Sequence, residues 1–292
     1  MLFLLFFYLC SSATLAHCNF VSLSIRPIDY VLFPENLELT YCSFNNITSL
    51  TENGGALRYT SSVNNFSNYF TCCSYCCALN GFGMTFASET MGRHEAYASS
   101  IQYSSYQNKI GSVAGMYFIK GYQSVTNTNS SNNVIVSYSG IGFESAQSLL
   151  YTHSSVSNGK AQNWAAICYR FSGNYKSEFI NCINNSQFST SWGIISNDNG
   201  NSVMTKCVIL NNGKIGEKIL FCSTGSLTIT DSSVQSGCIN KGATIVNSNT
   251  LTIPIPLVHF KSQICGYDFS YTHETKHRYF HIMMLSCLIL IY

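Results

Sequence analysis

Three consecutive stretches of the chain align at a constant step of 25 residues. The first couples Glu178-Phe179-Ile180-Asn181-Cys182 to Trp192-Gly193-Ile194-Ile195-Ser196. The second couples Val203-Met204-Thr205-Lys206-Cys207 to Glu217-Lys218-Ile219-Leu220-Phe221. The third couples Thr228-Ile229-Thr230-Asp231-Ser232 to Gly242-Ala243-Thr244-Ile245-Val246. Cys182, Cys207 and Ser232 fall in one column, and Ile195, Leu220 and Ile245 in another. A fixed period of about 20 to 50 residues marks a solenoid, in which each repeat buries its apolar face only against its neighbours.

Each repeat holds two short aliphatic or β-branched runs, separated by turn segments such as Asn197-Asp198-Asn199-Gly200-Asn201 and Asn211-Asn212-Gly213. Apolar runs of strand length between residues that tolerate positive φ read as strands, and none reaches helical length. The expected fold is therefore all-β: a right-handed, single-stranded parallel β-helix with coils of about 25 residues, stacked about 4.8 Å apart. A leucine-rich horseshoe shares the period but needs a spaced Leu ladder and helical segments, and neither is present.

The frame extends towards the N-terminus. Trp164-Ala165-Ala166-Ile167-Cys168 matches Trp192-Gly193-Ile194-Ile195-Ser196 at a spacing of 28, and Val134-Ile135-Val136 with Leu149-Leu150-Tyr151 forms a further coil. Leu37 to Asn46 leads into Gly54-Gly55-Ala56-Leu57, which is the same unit again: strand, Cys, Asn-rich turn, Gly-Ala-aliphatic strand. Residues 82–125 hold no legible register. The expected layout is a β-helix over 20–268, a polar spacer over 269–278 and an apolar tail over 279–292.

Phe44-Asn45-Asn46 followed by Gly54-Gly55-Ala56-Leu57 resembles the paired F-x-x-N and G-G-A-[ILV] signatures of the polymorphic outer membrane protein repeat, with Asn46 one residue short of the usual spacing. That family occurs in bacterial surface autotransporters and in secreted protist proteins. The resemblance implies a right-handed parallel β-helix at a cell surface, associated with adhesion and not with catalysis.

Leu2 to Leu9 is an unbroken apolar run, too short to span a bilayer, and Ser11-Ser12-Ala13-Thr14-Leu15-Ala16 supplies small residues. Residues 1–16 thus read as a secretory signal cleaved after Ala16, although its start lacks Lys and Arg. The expected location is extracellular or on the cell surface. In an oxidising compartment, removing Cys10 and setting aside Cys287 leaves an even set of cysteines. Cys182 and Cys207, one repeat apart, are candidates either for a disulfide or for a stack of packed thiols. Cys72-Cys73-Ser74-Tyr75-Cys76-Cys77 contains overlapping C-x-x-C spacings, but no second pair completes a zinc site. Sequons at Asn46, Asn65, Asn129 and Asn184 are candidate glycosylation sites.

Charged residues make up 10% of the chain, 15 basic against 13 acidic, so it carries no electrostatic footprint for nucleic acid. The expected partners are host-cell or extracellular proteins and glycans. The tail 279–292 offers a route to membrane association, whether as a shortened anchor, a lipid-anchor signal or a terminal strand. His273-Glu274-Thr275-Lys276-His277 fits H-E-x-x-H, the zinc protease pattern. On a helix, His273, His277 and His281 would form a row spanning about 11 Å, too long to hold one ion together. Only a short apolar stretch follows the motif, so it is rejected as a metal site. A β-helical polysaccharide lyase or glycoside hydrolase needs carboxylates converging from neighbouring coils. Only Asp29 and Glu52, 23 apart, come near one repeat step, while Asp198, Glu217 and Asp231 fall in different columns. No catalysis and no cofactor are expected.

Overall fold

The computed structural model describes residues 12–31, 35–52, 54–80, 86–103, 114–135, 138–162, 164–171, 173–188, 192–213, 217–236, 239–248 and 254–257. Every element among them is a β-strand, and all strand pairs are parallel. The strands stack as a parallel β-solenoid with about 26 residues per coil. Each coil contributes a front, a side and a back strand. Ten front strands run in register from Ser12–Ala16 through Asn36–Thr40 and Phe66–Tyr69 to Ala243–Val246. The back sheet has nine, from Ile28–Val31 to Ile239–Lys241.

Two corners shape the coil, and both are read from the backbone. At the first, His17, Tyr41, Phe70, Ala98, Asn127, His153, Phe179, Lys206 and Asp231 all have φ between 48° and 56°. Five residues later in each coil, Ser22, Asn46, Tyr75, Tyr103, Asn132, Asn158, Asn184 and Asn211 repeat that conformation. A left-handed residue costs roughly 1–2 kcal/mol for side chains other than Gly, Asn or Asp. Stacking offsets this cost, because each corner amide bonds the next coil: Tyr41 N–H donates to the Tyr69 carbonyl at 3.0 Å and Asn158 N–H to that of Ile183 at 3.0 Å.

The residue after the first corner points inward, where space is small. The positions are Cys18, Cys42, Thr71, Ser99, Thr128, Ser154, Ile180, Cys207 and Ser232. Most turn their hydroxyl or thiol onto the carbonyl two residues back, as Ser154 does to Thr152 (2.7 Å), Cys207 to Thr205 (3.2 Å) and Ser232 to Thr230 (2.6 Å). After the second corner the buried Asn133, Asn185 and Asn212 take the equivalent place. Asn212 Oδ1 accepts from Asn185 N (2.9 Å), and Asn212 Nδ2 donates to the Cys182 carbonyl (2.7 Å). Side-chain amides thus carry the hydrogen bonding where the sheet breaks.

The core is a set of inward columns. On the back strands, Ile28, Leu57, Phe86, Met116, Ile141, Ile167, Ile195 and Leu220 stack in register. Two residues on, Phe118, Phe143 and Tyr169 stack their rings at 6.1 and 5.8 Å. The G-G-A-L segment enters this core at Ala56 and Leu57, both fully buried. Gly54 starts it at φ 68°, and a Cβ there would collide with the Leu57 carbonyl, so only glycine makes this turn.

The register corrects the constant 25-residue step. Ile195 does lie against Leu220, but Leu220 is followed by Asn240, while Ile245 pairs with Ile229 on the front face. The last coil is short: Ile229 to Ile245 is 16 residues, where Met204 to Ile229 is 25. Gly242, at φ 72°, lets the back strand turn directly into the last front strand. Between Glu178 and Thr205 the step is 27, so Cys182 pairs with Ile209 and not with Cys207. The added residues lie in the side-to-back loop: Glu178 to Ile195 is 17 positions, against 15 from Thr205 to Leu220. Where the sequence showed no register, in 82–125, the coils continue: Phe86–Thr90, Arg93–Tyr97, Ser100–Gln102, Ala114–Ile119 and Tyr122–Thr126 are all paired.

Candidate binding surface

The outward side chains of the front strands form three rows along the axis, about 40 Å long for ten strands. One row reads Asn36, Asn65, Arg93, Tyr122, Ser148, Asn174, Asn201 and Ser226. The next passes through Glu38, Ser67, Glu95, Ser124, Leu150, Lys176, Val203 and Thr228, and the third through Thr40, Tyr69, Tyr97, Thr126, Thr152, Glu178, Thr205 and Thr230. Most of these side chains reach solvent, and Tyr97, Tyr122, Leu150 and Val203 are each more than a third exposed. Bonds along the axis hold the rows upright. Tyr69 OH donates to Glu95 Oε2 (2.9 Å), Thr126 and Thr152 hydroxyls meet at 3.1 Å, and Ser226 Oγ donates to Asn201 Oδ1 (2.9 Å). Lys176 lies 3.0 Å from Glu178 and holds that carboxyl below the usual carboxylate range.

The side face is covered where the front is open. Its outward row runs through Asn19, Ser43, Cys72, Ser100, Asn129, Ser155, Asn181, Val208 and Ser233, all of them buried except the exposed Asn19 and the half-buried Asn129. Part of the cover is the segment 254–257: Asn181 Nδ2 donates to the Ile255 carbonyl (2.8 Å), and Ile255 N–H donates to Asn181 Oδ1 (2.9 Å).

The back face carries the strongest charges. Register stacks Glu144 on Arg170 and Arg170 on Asp198. Arg170 Nη1 lies 3.2 Å from Glu144 and Nε lies 3.6 Å from Asp198. Tyr117 OH donates to Glu144, and Ser223 Oγ to Asp198 at 2.6 Å. Aligned carboxylates are thus present, contrary to the expectation from a fixed step, because these coils are 26 and 28 residues long. Both carboxylates are engaged by Arg170 and a hydroxyl, the arrangement of a structural rung. Beside them Trp164 and Trp192 stack at 4.3 Å, with Arg170 5.3 Å over Trp164 and Phe221 edge-on to Trp192. Their ring faces are spent on one another, so this ladder braces the coils.

The sequence candidates scatter over these faces. Asn65 lies exposed on the front, Asn46 and Asn184 lie exposed on the second corner, and Asn129 is half-buried on the side, accepting from Ser155 Oγ at 2.7 Å. Cys182 and Cys207 are both buried, free and unpaired with each other; burial pushes the Cys182 thiol up and that of Cys207 to about 12, so both stay protonated. Cys42, Cys73, Cys77, Cys168, Cys182, Cys207 and Cys222 are free thiols, and Cys72 is disulfide-bonded. Among the described residues, no three His, Cys, Asp or Glu gather as metal ligands, and no helix is long and apolar enough to cross a membrane. His273, Glu274, His277, the spacer and the tail lie outside the described residues, as do residues 1–11. Residues 12–16, expected at the end of the signal, form the first front strand. The front rows were missed in the sequence because outward Ser, Thr and Asn carry no periodic signal of their own. Compared with known proteins, the chain matches no family model, no curated protein and no solved structure.

Proposed function

We propose that the protein is a secreted or surface-displayed β-solenoid that binds an extended extracellular ligand along its front face and catalyses no reaction. The observation that carries this reading is the contrast between faces. The front presents an open strip of hydroxyls, amides and exposed Tyr rings with charges of both signs interspersed, while most of the side row is covered and the back carboxylates are paired with Arg170. Such a strip suits a glycan chain: hydroxyls and amides match sugar hydroxyls, and Tyr rings offer an apolar face with a polar tip. The F-x-x-N and G-G-A-L resemblance to polymorphic outer membrane protein repeats supports adhesion, and the apolar start supports export. Binding to immobilised extracellular glycans tests it. The variant Tyr97→Ser/Tyr122→Ser is expected to lose at least about tenfold in affinity, since stacked aromatic contacts contribute about 1 kcal/mol or more each. Unchanged binding by that variant contradicts the proposal.

One observation favours a second reading, a polysaccharide-cleaving enzyme. Glu144 and Asp198 stand two coils apart on one face, roughly 10 Å, at the outer edge of the carboxylate spacing used by inverting glycosidases. Turnover of a polysaccharide that is lost in Glu144→Gln would favour it.

A further inference from the structure

We propose that Asn65 carries an N-linked glycan that lies over the N-terminal end of the front face, Tyr97 and Tyr122 included, and so competes with the ligand for those rings. The inference rests on the secretory reading above, and on the geometry of one side chain. Asn65 immediately precedes the front strand Phe66–Tyr69 and is exposed. Its Oδ1 accepts the Arg93 N–H at 2.9 Å, while its own N–H donates to Asn36 Oδ1 at 2.8 Å. The amide is thereby fixed with its oxygen spent inside the sheet edge, and among the described residues Nδ2 has no hydrogen-bond partner. Ser67, the hydroxyl residue of the sequon, lies two positions on in extended chain and so on the same outer side.

The other sequons are placed differently. Asn129 is half-buried in the side row with its oxygen held by Ser155. Asn46 turns its Nδ2 onto Ser22 Oγ at 3.2 Å, and Asn184, like Asn46, sits on the second corner away from the front. Only a sugar on Asn65 would rise from the front face. Arg93 is its neighbour one coil on and Tyr122 two coils on, at steps of about 4.8 Å, so a core of several sugars reaches past both.

The modification is a transfer from a lipid diphosphate-linked oligosaccharide. Nδ2 forms a bond to the anomeric carbon, the bond from that carbon to the phosphate oxygen breaks, the lipid diphosphate leaves, and the amide gives up one proton. The oxygen that accepts from Arg93 is untouched, so the folded edge tolerates the product.

The test uses the full chain expressed in a eukaryotic secretory system. Enzymatic deglycosylation in heavy-oxygen water followed by peptide mass spectrometry is expected to mark Asn65 as labelled Asp. Nitration of Tyr97 and Tyr122 is expected to rise several-fold in Ser67→Ala, which removes the sequon and keeps the Asn65 amide, and in enzymatically deglycosylated wild type. Sugar at Asn46 or Asn184 with none at Asn65 overturns this inference while leaving the secretory reading intact. Retention of the chain in the cytosol overturns both. A glycan at Asn65 with equal nitration in all samples overturns the shielding.

Discussion

His94 shows how a single side chain is held by the coil above it. It is fully buried, Nδ1 lies 2.9 Å from Ser88 Oγ, and Nε2 lies 3.1 Å from both the Thr90 and Ile119 carbonyls. That network assigns the neutral tautomer with its proton on Nε2 and the Ser88 hydroxyl donating to Nδ1. Burial pushes its pKa down to about 4, against an ordinary value of about 6.5. The unfolded chain therefore binds a proton between those values that the folded chain refuses. The neutral form stabilises the fold above about pH 6.5, and that contribution, roughly 3 kcal/mol, is lost as pH falls to about 4. Unfolding midpoints measured from pH 7 to 4 should fall more steeply for wild type than for His94→Gln. Asn68 is the opposite case: it is fully buried between Leu39 and Ala96 in the front column, with neither amide atom hydrogen-bonded. Asn68→Leu should therefore raise stability by about 1–2 kcal/mol in denaturant titration, because an unpaired buried amide is removed at similar volume.

At the scale of the strand and the coil, most of the pattern was legible from aliphatic runs. Ile195 against Leu220, Trp164 against Trp192, and the unit from Leu37 to Leu57 all stand where the repeat put them. Register failed where loop length changed. A backbone ladder fixes pairing by hydrogen bonds, and the loops absorb insertions, so two added residues before Ile195 and a shortened last coil moved Cys182 and Ile245 out of their columns. Residues 86–126 were illegible for another reason: inward positions there include Ser88, His94, Ala96 and Gln123, which look like surface residues in sequence. The candidate surface was barely legible, since its rows appear only after the register is known. Leu220 and Ile245 now differ in expectation. Leu220→Ala should cost about 2–5 kcal/mol, because Leu220 is fully buried, whereas Ile245→Ala in the last, half-exposed strand should cost under about 2 kcal/mol. Equal costs measured by chemical unfolding would restore the constant 25-residue column.

Over the whole molecule, a solenoid is stabilised by contacts between neighbouring coils, so its ends matter more than its length. Ser12–Ala16 pairs along its full length with Asn36–Thr40 and packs Ala13 and Leu15 against the core. Cleavage after Ala16 would leave Asn36–Thr40 as the terminal front strand, with His17 still stacked on Tyr41 at 5.1 Å. N-terminal sequencing of the exported protein is expected to begin near His17; Met1 retained on a cytosolic product would contradict the secreted reading.

The central claim, binding along the front face without chemistry, is tested most directly by titrating an extracellular polysaccharide against the protein and then recovering the polysaccharide for size analysis. Saturable binding and a recovered chain of unchanged length are expected. Affinity should fall in Tyr97→Ser/Tyr122→Ser and hold in Glu144→Gln and Asp198→Asn. A shortened polysaccharide, with shortening abolished by Glu144→Gln or Asp198→Asn and binding indifferent to the two tyrosines, would contradict it.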